Sequence, residues 1–245
     1  MNARRTFSVD IVIPVFNEEK VLTKNIRLLE DYCKKNLKKY KWKIILADNG
    51  STDRTPEIGK TLQKKLKVNY TRISKKGRGG ALYSQWSKST ADILSYMDVD
   101  LSSNLKYFPK LVEAIIEGSD IAIGSRLVKG SKVEGRPLIR EIMSRSYNML
   151  ILALFRIKFH DAQCGFKAIS GDSTKELLPL IKNRNWFFDT ELLIVGEKSG
   201  KKIKEIPIYW HDDPRSTVKI AKTVFEDLIG LLRLAVTKPW LKIIK

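Results

Sequence analysis

Short apolar runs alternate with amphipathic helical stretches through the first half of the chain, and that alternation constrains the fold more than any other feature. Val9 to Phe16 reads as a buried strand; Glu18 to Cys33 then sets Val21, Leu22, Ile26, Leu29 and Cys33 near one helical face, with Asn17 placed to cap it. Trp42 to Ala47 is the next strand, followed by a helix opened by Thr55-Pro56-Glu57, where Thr55 suits the N-cap and Pro56 the first helical position. Val68 to Ile73, a helix near Gly80 to Ser89, Ile93 to Met97, a helix with Leu111, Val112, Ile115 and Ile116, and Ile121 to Gly124 continue the series. The pattern predicts an α/β domain with a mostly parallel central sheet flanked by helices. A chain of 245 residues suits one large domain of this class better than two.

Beyond Gly124 the pattern changes. Arg126, Lys129, Lys132, Arg136, Arg140 and Arg145 stand against only Glu134 and Glu141, and the segment leads into the apolar run Met149 to Phe155. Two readings are open: a core helix with a solvated basic lead-in, or an interfacial helix on lipid headgroups. A second amphipathic stretch, Thr217 to Val236, sets Val224, Leu228, Leu231, Leu232 and Ala235 opposite Lys222, Glu226, Asp227 and Arg233, and is expected to pack on the domain. Lys and Arg number 46 and Asp and Glu 27, a net charge of +19 that points to anionic partners: nucleic acid, phosphate-bearing ligands or an acidic membrane. The two cysteines, Cys33 and Cys164, are too few and too far apart for a disulfide scaffold or a zinc ribbon. The basic start runs into Asp10, Glu18 and Glu19, unlike a signal peptide. The longest uncharged stretch, Ser146 to Phe155, is about half the ~20 residues of a membrane-spanning helix. A cytoplasmic protein without a transmembrane domain is therefore expected.

In an open parallel sheet ligands bind beyond the carboxyl ends of the strands. The first such end, Pro14-Val15-Phe16-Asn17-Glu18, lacks the Gly-rich turn of a dinucleotide fold or a P-loop. The second, Asp48-Asn49-Gly50-Ser51-Thr52-Asp53, offers a short acid that can either accept hydrogen bonds from a base or ribose or shape its own turn. In Tyr96-Met97-Asp98-Val99-Asp100 two carboxylates two apart share one face of an extended segment. Such a pair calls for a cation, and Mg²⁺ or Mn²⁺ with oxygen ligands fits. An ion held there can bridge a nucleotide diphosphate and neutralise its charge as it leaves. Glycines in Lys75-Lys76-Gly77-Arg78-Gly79-Gly80 allow close backbone approach, and the cations among them attract phosphate.

Taken with Gly124-Ser125-Arg126, these elements resemble family 2 of the glycosyltransferases, which have the GT-A fold. Asp161-Ala162-Gln163-Cys164-Gly165-Phe166-Lys167, Trp186-Phe187-Phe188-Asp189-Thr190-Glu191 and Ile206-Pro207-Ile208-Tyr209-Trp210 resemble its dolichyl-phosphate mannose and glucose synthase branch. The resemblance implies a nucleotide-sugar donor, GDP-mannose or UDP-glucose, bound by Pro14, Asn17, Glu18, Asp48, Lys76, Gly77, Asp98 and Val99. Asp48 is expected at the base, Asp98 at the ribose or sugar, and Asp100 with Asp98 at the metal. Arg126, Arg140 and Ser144 match phosphate-binding positions, and Arg215 a basic residue on a loop near the site. The sequence departs from the family pattern at Ser102, where some relatives place a metal-coordinating Gln, and at Asn49, where a second Asp is usual.

An alcohol acceptor needs a base to remove its proton, whereas a phosphate monoester, with a second pKa of about 6, is already a nucleophile at neutral pH. A polyprenyl or dolichyl phosphate therefore needs cations, which residues 126 to 158 supply beside an apolar helix. For a saccharide or lipid alcohol, Asp189 or Glu191 is the candidate base, although Asp189 also suits the N-cap of a helix from Thr190 to Glu197. His160 and His211 read as loop or core residues. The expectation is an inverting hexosyltransferase of residues 1–216, followed by an amphipathic helix and tail at 217–245, peripheral to the cytoplasmic face of a membrane. A basic nucleic-acid-binding protein accounts for the charge but leaves the paired aspartates unexplained, so no nucleic-acid partner is expected.

Overall fold

A computed structural model describes residues 5–73, 77–212 and 220–244. Its central sheet runs β3-β2-β1-β4-β7-β5-β8, with β1 (Ser8–Val15), β2 (Lys41–Asp48), β3 (Val68–Arg72), β4 (Ile93–Met97), β5 (Ile121–Ser125), β7 (Phe166–Ser170) and β8 (Ile203–Pro207). Every pairing is parallel except those of β7, which runs antiparallel to both β4 and β5. A small second sheet joins β6 (Lys132–Glu134) to β9 (Tyr209–His211). The mostly parallel sheet expected from the sequence is present. The reversal at β7 and the β6 and β9 ribbon were not expected, because apolar periodicity carries no information about strand direction.

The period-2 alternation of the strands sorts the core into two layers. Ile11, Ile13, Ile44 and Leu46 pack with α1 (Leu22–Asn36), α2 (Thr55–Lys65) and α4 (Phe108–Ile116) on one face. Val12, Ile45, Tyr96 and Ile123 pack with α3 (Arg78–Trp86), α5 (Leu138–Phe155) and α7 (Phe188–Lys198) on the other, joined by α6 (Gly171–Leu177), α8 (Ile220–Thr237) and α9 (Leu241–Ile244).

Three expected caps are corrected. Val21, not Asn17, precedes α1 and makes no side-chain cap; Asn17 sits at φ 57° and its Oδ1 accepts from Thr52 N at 2.8 Å, tying two loops together. Thr55 opens α2, but its hydroxyl accepts from Glu18 N at 2.8 Å while Asp53 takes the Thr55 N–H at 2.9 Å. Asp189 lies within the first turn of α7, behind Phe187, and is buried.

The helix α5 is amphipathic in an inverted sense. Its buried residues are Ser144, Asn148, Ile151 and Phe155, whereas Leu138 is 75% exposed, Ile139 62%, Ile142 51% and Met149 71%. A core helix would hide those side chains. Along α8 the face expected to pack is divided: Leu231 is buried, but Val224, Leu228 and Leu232 point outward with Phe225, Ile229 and Val236. Asp227, assigned by its spacing to the polar face, is buried. The cause is close approach at Gly230, where an added Cβ would fall 2.4 Å from the Phe187 ring. Residues 217–219 of the expected helix lie outside the described residues. Among the described residues no helix is long and apolar enough to cross a membrane.

Candidate active site

Loops at the carboxyl ends of β1, β2 and β4 meet the start of α3, and hydrogen bonds between them set their spacing. Asn17 N donates to Ser51 Oγ at 2.9 Å, Gly77 N to Asn49 Oδ1 at 2.6 Å and Asn25 Nδ2 to the Val99 carbonyl at 2.9 Å. Pro14 is half-buried near the end of β1. Glu18 is half-buried one residue after Asn17, and its carbonyl accepts from Leu22 N at 2.9 Å as the chain enters α1. Gly77 has φ +155°, and a Cβ there would strike the Arg184 carbonyl at 2.4 Å, so the turn into α3 requires glycine. Asp48 is fully buried: Oδ1 accepts from Ser51 N at 2.8 Å and Oδ2 from the Tyr70 hydroxyl at 2.5 Å. Burial first, and then Asp48, raises the Tyr70 pKa, so that hydroxyl stays a donor. The Asp48 carboxylate thus shapes the loop that a base would meet.

The paired aspartates emerge from β4 as the spacing predicted, but their surroundings differ. Asp100 is exposed, and its Oδ1 accepts from Ser102 N at 3.0 Å. Asp98 is half-buried and grips Arg78, whose Nη2 and Nε donate to Oδ1 at 2.6 and 3.2 Å. Arg78 also gives Nη1 to Asp189 at 2.5 Å and lies between the Tyr96 and Trp186 rings, 5.0 and 5.1 Å from their centroids. Its guanidinium is thus turned into the protein, not toward an incoming phosphate. Burial opposes its charge, yet Asp98 and Asp189 more than offset this and raise its pKa. Asp189 further accepts from the Tyr96 hydroxyl and from Lys167 Nζ at 3.1 Å. Burial pushes Asp189 up to about 6 against the opposing Arg78 charge, and pushes Lys167 down to about 7. The donors converging on Asp189 are those of an ionised carboxylate. The antiparallel β7 brings Lys167 opposite Tyr96, a neighbour the parallel pattern did not suggest.

On the acceptor side, Arg126 is clamped by Asp161: the backbone N at 2.9 Å, Nε at 2.8 Å and Nη2 at 2.8 Å all donate to its carboxylate, and the guanidinium lies 4.9 Å from the Trp210 ring centroid. Burial opposes both charges, but each partner holds the other ionised, with Asp161 below and Arg126 above its ordinary pKa. Arg140 pairs with Asp212 at 3.1 Å. Ser144 is buried on α5, and its hydroxyl finds no hydrogen-bond partner among the described residues. Sequence reading named Arg136 only as part of the basic run; it ion-pairs with Glu141 at 3.2 Å, and burial and then neighbouring Arg126 lower its pKa. Its position in a tight basic run was the only signal. Lys76 and Arg215 lie outside the described residues.

Both expected bases are engaged within the protein. Asp189 is locked as above, and Glu191, also buried, accepts from Lys182 N at 3.0 Å and Asn183 N at 2.8 Å and pairs with Arg233 at 2.8 Å. His160 is an exposed loop residue whose Nδ1 lies 2.7 Å from Glu205, and His211 is on β9. Among the described residues no group of three or more His, Cys, Asp or Glu is placed to hold a metal by itself. An ion that keeps waters and takes diphosphate oxygens needs only one or two carboxylates, and Asp100 with Asp98 supplies that donor set.

The description "Glycosyl transferase family 2" belongs to the family model that matches residues 10–178. The chain is 31% identical to glycosyltransferase AglD of Haloferax volcanii over 91% of its own length and 35% of the relative's. It is 34% identical to dolichol-phosphate mannosyltransferase of Pyrococcus furiosus, over 92% and 63%, and 30% identical to dolichyl-phosphate beta-glucosyltransferase of Saccharomyces cerevisiae, over 87% and 70%. It therefore spans about a third of the first relative and under two thirds of the second. Glucosyl-3-phosphoglycerate synthase from Mycobacterium tuberculosis, solved with Mn²⁺ and UDP-glucose, superposes with a TM-score of 0.69 at 15% identity, over 94% of this chain and 79% of that one. That likeness concerns the fold, GT-A. With the family model covering more than half of the chain, the chain belongs to glycosyl transferase family 2.

Proposed function

We propose that the protein is an inverting hexosyltransferase that moves mannose from GDP-mannose, or glucose from UDP-glucose, onto a polyprenyl or dolichyl phosphate at a membrane surface. The observation that carries this reading is the burial of both expected bases, Asp189 and Glu191, in ion pairs, while Arg126, Arg136 and Arg140, themselves paired with Asp161, Glu141 and Asp212, gather ahead of and at the start of a helix with an outward apolar face. A lipid phosphate needs those cations and no base. Its oxygen attacks the anomeric carbon, the bond from that carbon to the β-phosphate oxygen breaks, and the nucleoside diphosphate leaves with the electron pair, inverting the centre. The names of the relatives agree with this acceptor.

On the donor side, the Asp48 loop and Gly77 receive the nucleotide with Pro14, Asn17, Glu18 and Val99, and Asp98 accepts from a sugar or ribose hydroxyl. Asp100, with Asp98, holds Mg²⁺ or Mn²⁺, which when bound neutralises the diphosphate. Arg126 and Arg140, with Ser144, take the acceptor phosphate. Residues 1–216 form the catalytic part, and 217–245 add a helix that, with α5, rests on the cytoplasmic face of the membrane. Incubation with Mg²⁺ or Mn²⁺, radiolabelled GDP-mannose or UDP-glucose, and dolichyl phosphate tests the reading. Label in the lipid product is expected and is abolished by Asp100→Ala; no labelled lipid with either donor overturns it. Transfer to a saccharide or lipid alcohol alone would return the second reading.

A further inference from the structure

We propose that Asp189 and Arg78 are positioning residues that act on the donor through Asp98. This rests on the glycosyltransferase reading of the site, but on the donor half only. Asp98 is not free to choose its orientation. Arg78 holds Oδ1 through two nitrogens, and Oδ2 lies against Gly165, where an added Cβ would come within 1.9 Å of it. Arg78 in turn is fixed on three sides, by Asp189 at 2.5 Å and by the Tyr96 and Trp186 rings. Asp189 is fixed by the Tyr96 hydroxyl and Lys167. The chain of contacts runs from the buried start of α7, through the first residue of α3, to the half-buried carboxylate at the end of β4.

Two features make this more than an internal ion pair. A planar guanidinium reaches two carboxylates from separate edges in one fixed fork, whereas the rotatable donors of an ammonium set no such plane. The two aspartates of the pair also differ in setting: half-buried Asp98 is gripped by Arg78, whereas Asp100 is exposed and accepts from Ser102 N. A carboxylate set in one direction before the ligand arrives avoids the ordering cost that a mobile one meets on binding. Asp189, expected from the sequence to touch the acceptor or act as its base, thus serves the donor from behind.

The test is isothermal titration with Mn²⁺ plus UDP-glucose or GDP-mannose, without any lipid. Asp189→Asn is expected to weaken binding of whichever donor the wild type takes about tenfold, the loss typical of one charge-assisted hydrogen bond. Combined with Asp98→Asn, it should add less than about twofold to the loss from Asp98→Asn alone, because both act through one carboxylate. A merely structural role predicts losses that multiply, and that result, or donor affinity unchanged in Asp189→Asn, overturns the proposal. If Asp189→Asn does not fold by circular dichroism, Arg78→Lys carries the same cycle; it keeps the charge but not the span, and wild-type affinity in it is equally decisive. Wild-type binding of a donor without transfer to dolichyl phosphate would sink the acceptor reading and leave this one standing.

Discussion

At the scale of single residues, the site is built by exclusion as much as by attraction. Gly165 is the clearest case, since a methyl group there would meet Asp98 Oδ2 at 1.9 Å, its Cγ at 2.5 Å and Arg78 Nη2 at 2.8 Å. The far end of a carboxylate can usually swing aside, but here Arg78 holds it. Gly165→Ala should therefore lose about 1–3 kcal/mol of stability in urea unfolding, as overpacked positions do, and more than about tenfold in donor affinity. Near-wild-type values for both would show that the Arg78 grip is loose. Asp161→Asn attacks the other buried pair. Removing one partner of a desolvated pair costs about 3–5 kcal/mol because the remaining charge is stranded, so the variant should unfold at markedly lower urea. A loss below about 1 kcal/mol would mean that Arg126 finds another counter-charge.

At the scale of elements, what the sequence made legible follows from what periodicity encodes. The strand Ile93–Met97 was placed to the residue, and β1, β2, β3 and β5 to within one, because a short apolar run is a local property. The Asp-Val-Asp pair and the glycine turn were found for the same reason. Partners distant in sequence were not: Arg78 with Asp189 spans 111 positions and Arg126 with Asp161 spans 35. The helix α5 was readable as a helix but not for its facing, since its inward side includes polar Ser144 and Asn148, whose partner is distant in sequence: Asn148 Oδ1 accepts from Ala162 N at 2.9 Å, beside Asp161. The same limit applies to Asp227 on α8. Burial first raises it to about 7; Glu226 and Asp189 also push it up, while Tyr147 and Gln163, the latter donating at 2.9 Å, pull it down. With an ordinary pKa near ~3.9 in the unfolded chain, a raised folded value means that protonated Asp227 stabilises the fold at acid pH. That contribution is complete below the unfolded pKa and is lost progressively as pH rises from there through about 7. Asp227→Asn, which keeps an acceptor for Gln163 but cannot ionise, should come closest to the wild type below about pH 4, where Asp227 is protonated folded and unfolded alike, and melt progressively higher than it up to pH 8. The gain is about 2–4 °C for each kcal/mol recovered. An equal melting temperature at both pH values would mean that α8 does not bury this group in solution.

At the scale of the whole molecule, two properties that look separate in the sequence meet on the helices α5 and α8. The charge of +19 is too large for a phosphate site alone, and the outward apolar side chains of α5 and α8 are too many for scattered surface residues: Leu138 75% exposed, Phe225 66%, Leu232 67% and Val236 74%. The two helices pack against each other. Arg145, Arg156, Lys158 and Lys238 belong to the same helices or follow their ends, and Lys242 lies on α9. A lipid bilayer with anionic headgroups satisfies both, since apolar side chains enter the acyl boundary while each Lys or Arg near the surface contributes about 1 kcal/mol. Another protein surface satisfies the apolar part but draws nothing from the salt-sensitive part. The protein should therefore sediment with phosphatidylglycerol-containing vesicles at low salt, bind them less in 0.5 M salt (~3–4 Å screening length), and bind phosphatidylcholine vesicles weakly. The combined variant Leu138→Ser, Ile142→Ser, Phe225→Ser and Leu232→Ser alters only exposed positions. It should lose vesicle binding with no fall in melting temperature, and it should keep donor binding, because none of the four lies in the Asp48, Gly77 or Asp98 loops. Two results would reassign the surface to a second copy of the chain: vesicle binding retained by this variant, or a concentration-dependent dimer of the wild type in lipid-free sedimentation that the variant abolishes.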